Sequence, residues 1–195
     1  MIPLWIKITY TLFAFITVAV YAVKYPFGNF LWFSDIALVL TVPALWLESS
    51  LLASMLAVGT LLPEAFWNVG FFGRLFTGKR LEGLTDYMFD AQKPLYLRAL
   101  SLFHVFLPVL LLWMIARLGY SPKALIAQTF LAWIVLPLTY VLTDPDKNIN
   151  WVFGPGAVRR NRASSILYLG LLMIAFPVLV YLPTHLLLLA LFETV

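Results

Sequence analysis

Apolar residues run in six stretches along the chain, roughly 3–23, 31–47, 51–72, 95–116, 124–143 and 166–192, and polar residues gather in the breaks between them. A hydrocarbon core about 30 Å thick is crossed by about 20 apolar residues in a helix. Lipid offers no partner to backbone N–H and C=O groups, so each span must satisfy its own as a helix. The pattern therefore predicts an all-α integral membrane helical bundle, a single transmembrane domain over 1–195 with about six transmembrane helices. Such a bundle uses up the chain and leaves no separate soluble domain.

The breaks carry turn chemistry. Lys24-Tyr25-Pro26-Phe27-Gly28-Asn29 reads as a turn, Glu48-Ser49-Ser50 as a tight hairpin, and Gly119-Tyr120-Ser121-Pro122-Lys123 as a turn whose proline is placed to open the fifth helix. The second stretch is short and contains Pro43, which predicts a kinked or recessed span. The sixth is long and contains Pro177 and Pro183, which predicts a tilt or bend. Ser50, Ala53, Ser54 and Ala57 follow a small-xxx-small spacing that lets the third helix approach a neighbour closely. Packing inside the bundle is the favoured reading of that stripe, with homodimerisation second.

Composition supports the pattern. Of 195 residues, 63% are hydrophobic and 11% charged, with a mean hydropathy of +0.93; soluble domains carry about 25% charged residues. The first stretch is longer than a signal-peptide core and has no basic lead, so it is read as a retained helix. The chain has no cysteine, which excludes disulfides, thiolate metal sites and cysteine nucleophiles.

Charge gives an orientation. Lys24, then Arg74, Lys79, Arg80, Lys93 and Arg98, then Lys147, Arg159, Arg160 and Arg162 fall on one side of a six-span topology, ten in all. Lys7, Arg117 and Lys123 fall on the other. The positive-inside rule places the two long connections, 73–94 and 144–165, in the cytoplasm and both termini outside. The expected location is the cell inner (plasma) membrane. The run Arg159-Arg160-Asn161-Arg162 suits anionic lipid headgroups, or topology alone. Membrane lipids, and other membrane subunits, are the expected partners; nucleic acid is not.

Ionisable groups inside a span are costly, about 2.5–3.5 kcal/mol on insertion scales, and each needs a reason. Asp35, Glu64, Arg98 and His104, with the amide of Asn68, all fall toward the cytoplasmic ends of their spans. Glu64 and Asn68 are four apart and share a helix face. Asp144, Asn148 and Asn150 follow the fifth span on the same side, and Asp86 and Asp90 precede the fourth. Several segments thus bring acid, base and amide groups to one level, as an active site would.

Histidine titrates near neutral pH, so His104 is the best single candidate for acid–base work, with Asp35, Glu64 or Asp144 as its partner. Asn148, Asn150, Asn68 and Arg98 are the candidate substrate-binding groups. Pairing of Asp35 or Glu64 with Arg98 is the structural alternative. His185 falls toward the external side, near Glu48 or Arg117, and reads as structural. The block Asn148-Ile149-Asn150-Trp151-Val152-Phe153-Gly154-Pro155-Gly156 suits a loop dipping to the interface, with Trp151 and Phe153 as anchors and both amides inward. There is no Walker loop, GxSxG elbow, HExxH or redox-cofactor motif, so no metal and no cofactor are expected.

The blocks Trp32-Phe33-Ser34-Asp35-Ile36-Ala37, Gly83-Leu84-Thr85-Asp86-Tyr87-Met88-Phe89-Asp90 and Asn148-Ile149-Asn150-Trp151 resemble those of a family of small bacterial polytopic proteins, uncharacterised and labelled only membrane-associated. That resemblance covers most of the chain and implies no activity. A fainter similarity, resting on a polar residue in the second span and an Asn-x-Asn-aromatic block after a late one, is to six-helix YwaF-like membrane proteins, relatives of a eukaryotic membrane acyltransferase. Its acyltransferase members resemble a cysteine/histidine design, and with no cysteine here no nucleophile is carried over.

Two functions compete at this point. One is a membrane-embedded hydrolase or acyltransferase acting on a lipid at the cytoplasmic leaflet. The other is a non-enzymatic accessory or scaffold subunit of a larger membrane complex. A small transporter is weaker, because the six stretches show no repeated halves.

Overall fold

The computed structural model describes residues 1–80, 83–155 and 162–192 of the chain. Arg159, Arg160 and Asn161 of the basic run lie outside them. Among the described residues the chain is all-helical, with no strand. Five helical segments are long and apolar enough to cross a membrane, and one apolar helix, Phe33–Trp46, is shorter. Large apolar side chains such as Phe15, Phe76, Val109, Phe130, Val141 and Leu179 lie on the outside. A surface of that kind fits an apolar solvent rather than water.

Helix α1 (Leu4–Lys24) opens after Pro3 and ends in Lys24. A one-turn 3-10 helix (Phe27–Leu31) leads into α2 (Phe33–Trp46), whose 14 residues reach only about 21 Å at the helical rise, short of a full crossing. The expected second span is accordingly a short apolar helix, below the length of the other five.

Helix α3 (Ser50–Thr77) is capped by the Ser49 side chain, which accepts from Leu52 N–H, and stops at Gly78 with φ +70°. Only glycine holds that left-handed C-cap without a steric penalty. At 28 residues, α3 outruns the expected 51–72 and is the central pillar, packing against α5, α2 and α6. Its small residues Ala53, Ser54 and Ala57 are fully buried within the chain, so they serve internal packing and present no face to a second copy.

The fourth expected span is divided. Helix α4 (Leu95–Leu100) gives way at Ser101–Leu102 to α5 (Phe103–Leu118). Ser101 sits in the break, donating to Leu97 O and meeting Tyr21 Oη of α1 at 2.9 Å. Apolar continuity hid this break, because the residues around it are as hydrophobic as the helices they separate.

Helix α6 (Ala124–Leu142) matches its stretch. The last span is continuous, with α7 (Arg162–Ala175) and α8 (Leu182–Phe192) joined by a π-helical segment Phe176–Tyr181. The cause is local. Pro177 has no N–H to give the carbonyl four residues back, and Met173 O takes the Trp133 indole N–H of α6 instead, at 3.0 Å.

The connection between α3 and α4 folds back on the bundle. A 3-10 turn (Asp86–Met88) buries Met88, and Asp86 is held by both Arg74 and Arg80. The connection after α6 turns on three left-handed residues, Asn148 (φ 41°), Asn150 (φ 51°) and Trp151 (φ 56°). Asparagine tolerates that region, whereas a tryptophan there needs external support.

Candidate functional site

A cavity of about 310 Å³ opens at the end of the bundle where α1 finishes and α2 and α5 begin. It falls at the lower edge of the range typical of small-ligand sites. Asp35, Glu64, His104 and Asn150, brought from four segments, all line it. Most of the rest of the wall is aromatic, including Tyr21, Trp32, Trp67, Tyr87 and Phe103.

His104 is the best-defined group. It sits in the first turn of α5, where its Nδ1 is 2.7 Å from Glu64 Oε2 on α3. Its ring stacks between Trp67 and Phe103, with centroids at 4.6 and 4.1 Å. Its other ring nitrogen, Nε2, makes no hydrogen bond among the described residues. A carboxylate on Nδ1 fixes the ring's orientation and leaves Nε2 as the reactive nitrogen, the arrangement an oriented general base needs.

The backbone beneath His104 is equally determined. Pro108 cannot donate to His104 O, four residues earlier. Asn68 Nδ2 fills that vacancy at 2.7 Å while also donating to Glu64 O at 2.8 Å. Asn68 therefore brackets α3 to α5 from behind the Glu64–His104 pair and does not line the cavity. It is a positioning residue, not the ligand-binding amide expected from sequence.

Asp35 lies in the first turn of α2 and is buried, with 6% exposure. Neither carboxylate oxygen hydrogen-bonds to a described residue, and Oδ1 is itself fully buried. The Trp67 Nε1–H is likewise buried and makes no hydrogen bond of ordinary length, with the Tyr87 phenol as its polar neighbour. The cavity wall thus holds an acceptor and a donor that the described protein does not satisfy. Such groups cost about 1–3 kcal/mol each when left alone.

Asn150 lines the cavity, but its amide is engaged. Nδ2 donates to Leu31 O at 2.7 Å, and Oδ1 accepts from Phe33 N–H at 3.3 Å. That N–H is one of the orphan donors opening α2, so Asn150 caps the helix that carries Asp35 from 117 residues away. Trp151 follows it into the wall and packs edge-on against Trp32 at 6.2 Å.

The remaining sequence candidates lie elsewhere. Asn148 closes its own loop, donating to Gly154 O and accepting from Phe153 N–H. Asp144 is exposed, does not reach His104, and contributes its backbone carbonyl to a turn with Lys147 N–H. Arg98 pairs with neither Asp35 nor Glu64; its guanidinium donates to Met88 O at 3.2 Å and ties α4 to the folded-back connection. His185 is buried at the opposite end, with Nδ1 2.5 Å from Tyr120 Oη.

Sequence reasoning missed the aromatic wall and the loop residues that complete it. Tyr87 and Leu84 reach the cavity from the connection that the hydropathy pattern treats as a polar link. Burial pushes the Tyr87 phenol well above its usual value. Burial, and after it the Asp35 charge, push Tyr25 upward. At the rim, Lys93 lies over the Tyr25 and Tyr87 rings, 5.8 and 5.4 Å from their centroids. The one signal available was Asp86-Tyr87, a tyrosine beside an acidic residue in an otherwise polar loop.

Among the described residues, no group of three or more His, Asp or Glu side chains is placed to hold a metal ion. Comparison of the chain with models of protein families, with curated proteins and with solved structures finds no match in any of the three.

Proposed function

We propose that this chain is a multi-pass enzyme of a bacterial inner membrane that hydrolyses a lipid ester or transfers its acyl group, with His104 as general acid–base. The observation that carries this reading is the Glu64–His104 pair at 2.7 Å in the wall of an aromatic cavity. The ten-to-three asymmetry of basic residues supports a cytoplasmic cavity mouth.

No serine or threonine hydroxyl hydrogen-bonds to His104 among the described residues, so the chemistry suited to the site is direct attack by an activated hydroxyl. Nε2 takes the proton of a water, or of an acceptor alcohol, as its oxygen adds to the ester carbonyl. Glu64 stabilises the imidazolium that forms. Trp67 Nε1–H is the donor available to the developing oxyanion. Collapse of the tetrahedral intermediate breaks the ester C–O bond, and the departing alkoxide takes the proton back from His104.

The test uses the purified full chain in detergent with phospholipids carrying a radiolabelled acyl group, with and without a lysophospholipid acceptor. Wild type releases or transfers the label. His104→Ala loses about 100-fold or more of that rate while still purifying as a folded protein. No turnover in wild type on any headgroup, or full turnover in the variant, overturns the reading. A set of stoichiometric membrane partners whose retention depends on the cavity residues would install the scaffold function in its place.

A further inference from the structure

The cavity wall holds one ammonium, that of Lys93, and two carboxyl groups, those of Asp35 and Glu64. Lys93 stands at its rim, partly exposed, where the cavity meets an open groove lined by Arg74, Tyr87 and Asp90. No carboxylate lies within ion-pair distance of the Lys93 ammonium among the described residues; the Tyr25 and Tyr87 rings are its nearest neighbours of note. Asp35 stands inside, buried and without a hydrogen-bond partner. Glu64 adds a second carboxylate.

Aromatic residues fill the space between these charges. Tyr21 and Tyr25 meet edge-to-face at 5.1 Å, Trp32 and Trp151 at 6.2 Å, and Phe33 continues the wall toward Asp35. Aromatic faces attract cations, and more strongly where water is displaced. The Lys93 ammonium already occupies two such faces, so this wall accepts a cation in the protein's own structure.

We infer that the cavity recognises a phosphate joined to an organic ammonium, the headgroup of a zwitterionic phospholipid, with the phosphate at Lys93 and the ammonium among the aromatic rings beside Asp35. This rests on the lipid-acting reading above and names its substrate class. A ligand with an anion alone would leave Asp35 uncompensated, and one with a cation alone would meet Lys93 at the rim. A ligand carrying both an anion and a cation meets the Lys93 ammonium with the one and, with the other, draws the buried Asp35 carboxyl into an ion pair.

The experiment is a binding titration of the detergent-purified full chain, followed by tryptophan fluorescence, since Trp32, Trp67 and Trp151 line the cavity. The probes are dihexanoyl phosphatidylcholine, phosphatidylethanolamine and phosphatidylglycerol, with free phosphocholine and phosphoethanolamine alongside. At least one zwitterionic lipid is expected to bind about tenfold more tightly than the glycerol lipid, equivalent to about 1.4 kcal/mol. Asp35→Asn should erase that preference while leaving affinity for the glycerol lipid unchanged. Lys93→Gln should weaken all phosphate-bearing probes together by about three- to tenfold.

Tighter binding of the lipid than of its free headgroup assigns the lipid as source, and the reverse assigns the soluble phosphate ester. Equal affinity for zwitterionic and glycerol lipids, or a preference that survives Asp35→Asn, overturns the inference. A merely structural Asp35 would move all affinities alike, which also overturns it. Ester turnover measured on the same preparation separates this from catalysis: headgroup preference in a wild type without ester turnover sinks the enzymatic reading alone. Turnover without headgroup preference sinks the present one alone.

Discussion

The two ends of the bundle treat their polar groups differently. At the end holding the N-terminus, Glu48 takes the Lys7 ammonium at 2.7 Å and the Ile2 N–H at 3.0 Å, with the chain's own amino group at 3.9 Å. Nearby, Ser54 Oγ accepts from Ser121 N–H and His185 meets Tyr120. At the cavity end, Glu64 and His104 pair, while Asp35 Oδ1 and Trp67 Nε1 are buried without a hydrogen bond of ordinary length; Gln128 Oε1 and Tyr181 Oη, outside the cavity wall, are buried in the same way. A polar group that closes on the protein can be explained by folding alone. One that lines a cavity without a partner is the kind of group that the proposed ligand would satisfy.

The histidines give the sharpest way to break this contrast. Each is hydrogen-bonded through Nδ1, but only His104 lines the cavity. His104→Ala should lower acyl release by about 100-fold or more, whereas His185→Ala should leave it within about twofold. Its cost should instead appear in the melting temperature, through the lost Tyr120 contact, at about 1–3 kcal/mol. Equal loss of turnover in both variants would mean that the ends are not functionally distinct.

Within the cavity end, Asn150 and Asp35 should separate cleanly. Asn150→Ala removes the cap on α2 and the tolerance for φ 51°, so it should destabilise by about 1–3 kcal/mol. Asp35→Asn replaces a buried carboxyl that makes no hydrogen bond to a described residue, so its melting temperature should equal or exceed that of wild type. Thermal melts of the two detergent-purified variants decide it. A large destabilisation by Asp35→Asn would reveal a structural partner and remove the argument for a ligand.

Gly59 tests the packing behind the cavity. A Cβ there would lie 2.3 Å from Gln128 Nε2 and 2.5 Å from its Cδ. Gln128 is 2% exposed and has little room to withdraw. Gly59→Ala should therefore cost about 1–3 kcal/mol by overpacking, again read by melting. The paired variant Gly59→Ala, Gln128→Ala should recover most of that loss.

Much of the helical architecture was legible because hydropathy reports span length directly. The stretches 3–23 and 124–143 coincide closely with α1 and α6. Hydropathy could not see the break at Ser101–Leu102, where a side-chain contact from α1 and not a polar interruption accompanies the bend. Nor could it show that Pro108 frees the very carbonyl that Asn68 takes, since that link joins residues 36 apart. Helical spacing placed Glu64 and Asn68 on one face, but the spacing alone does not say that one lines the cavity and the other sits behind it. The aromatic wall was invisible for a simpler reason: tyrosines and tryptophans near span ends are ordinary interfacial anchors until a fold turns them inward.

The smallest expected effect belongs to Glu48, at the satisfied end. The Lys7 hydrogen bond, and after it the Ile2 N–H, hold its carboxyl below the usual glutamate value. A group depressed in the folded state adds stability above its unfolded value, about 4.3, and that stability disappears as the pH falls through the folded one. Wild type should therefore melt above Glu48→Gln from neutral pH down to about pH 5, with the two curves converging below about pH 4. The cluster is reached by water, so the gap should be small and should shrink further in high salt. A gap that ignores both pH and salt would show that Glu48 acts through the hairpin geometry at φ 47° and not through its charge.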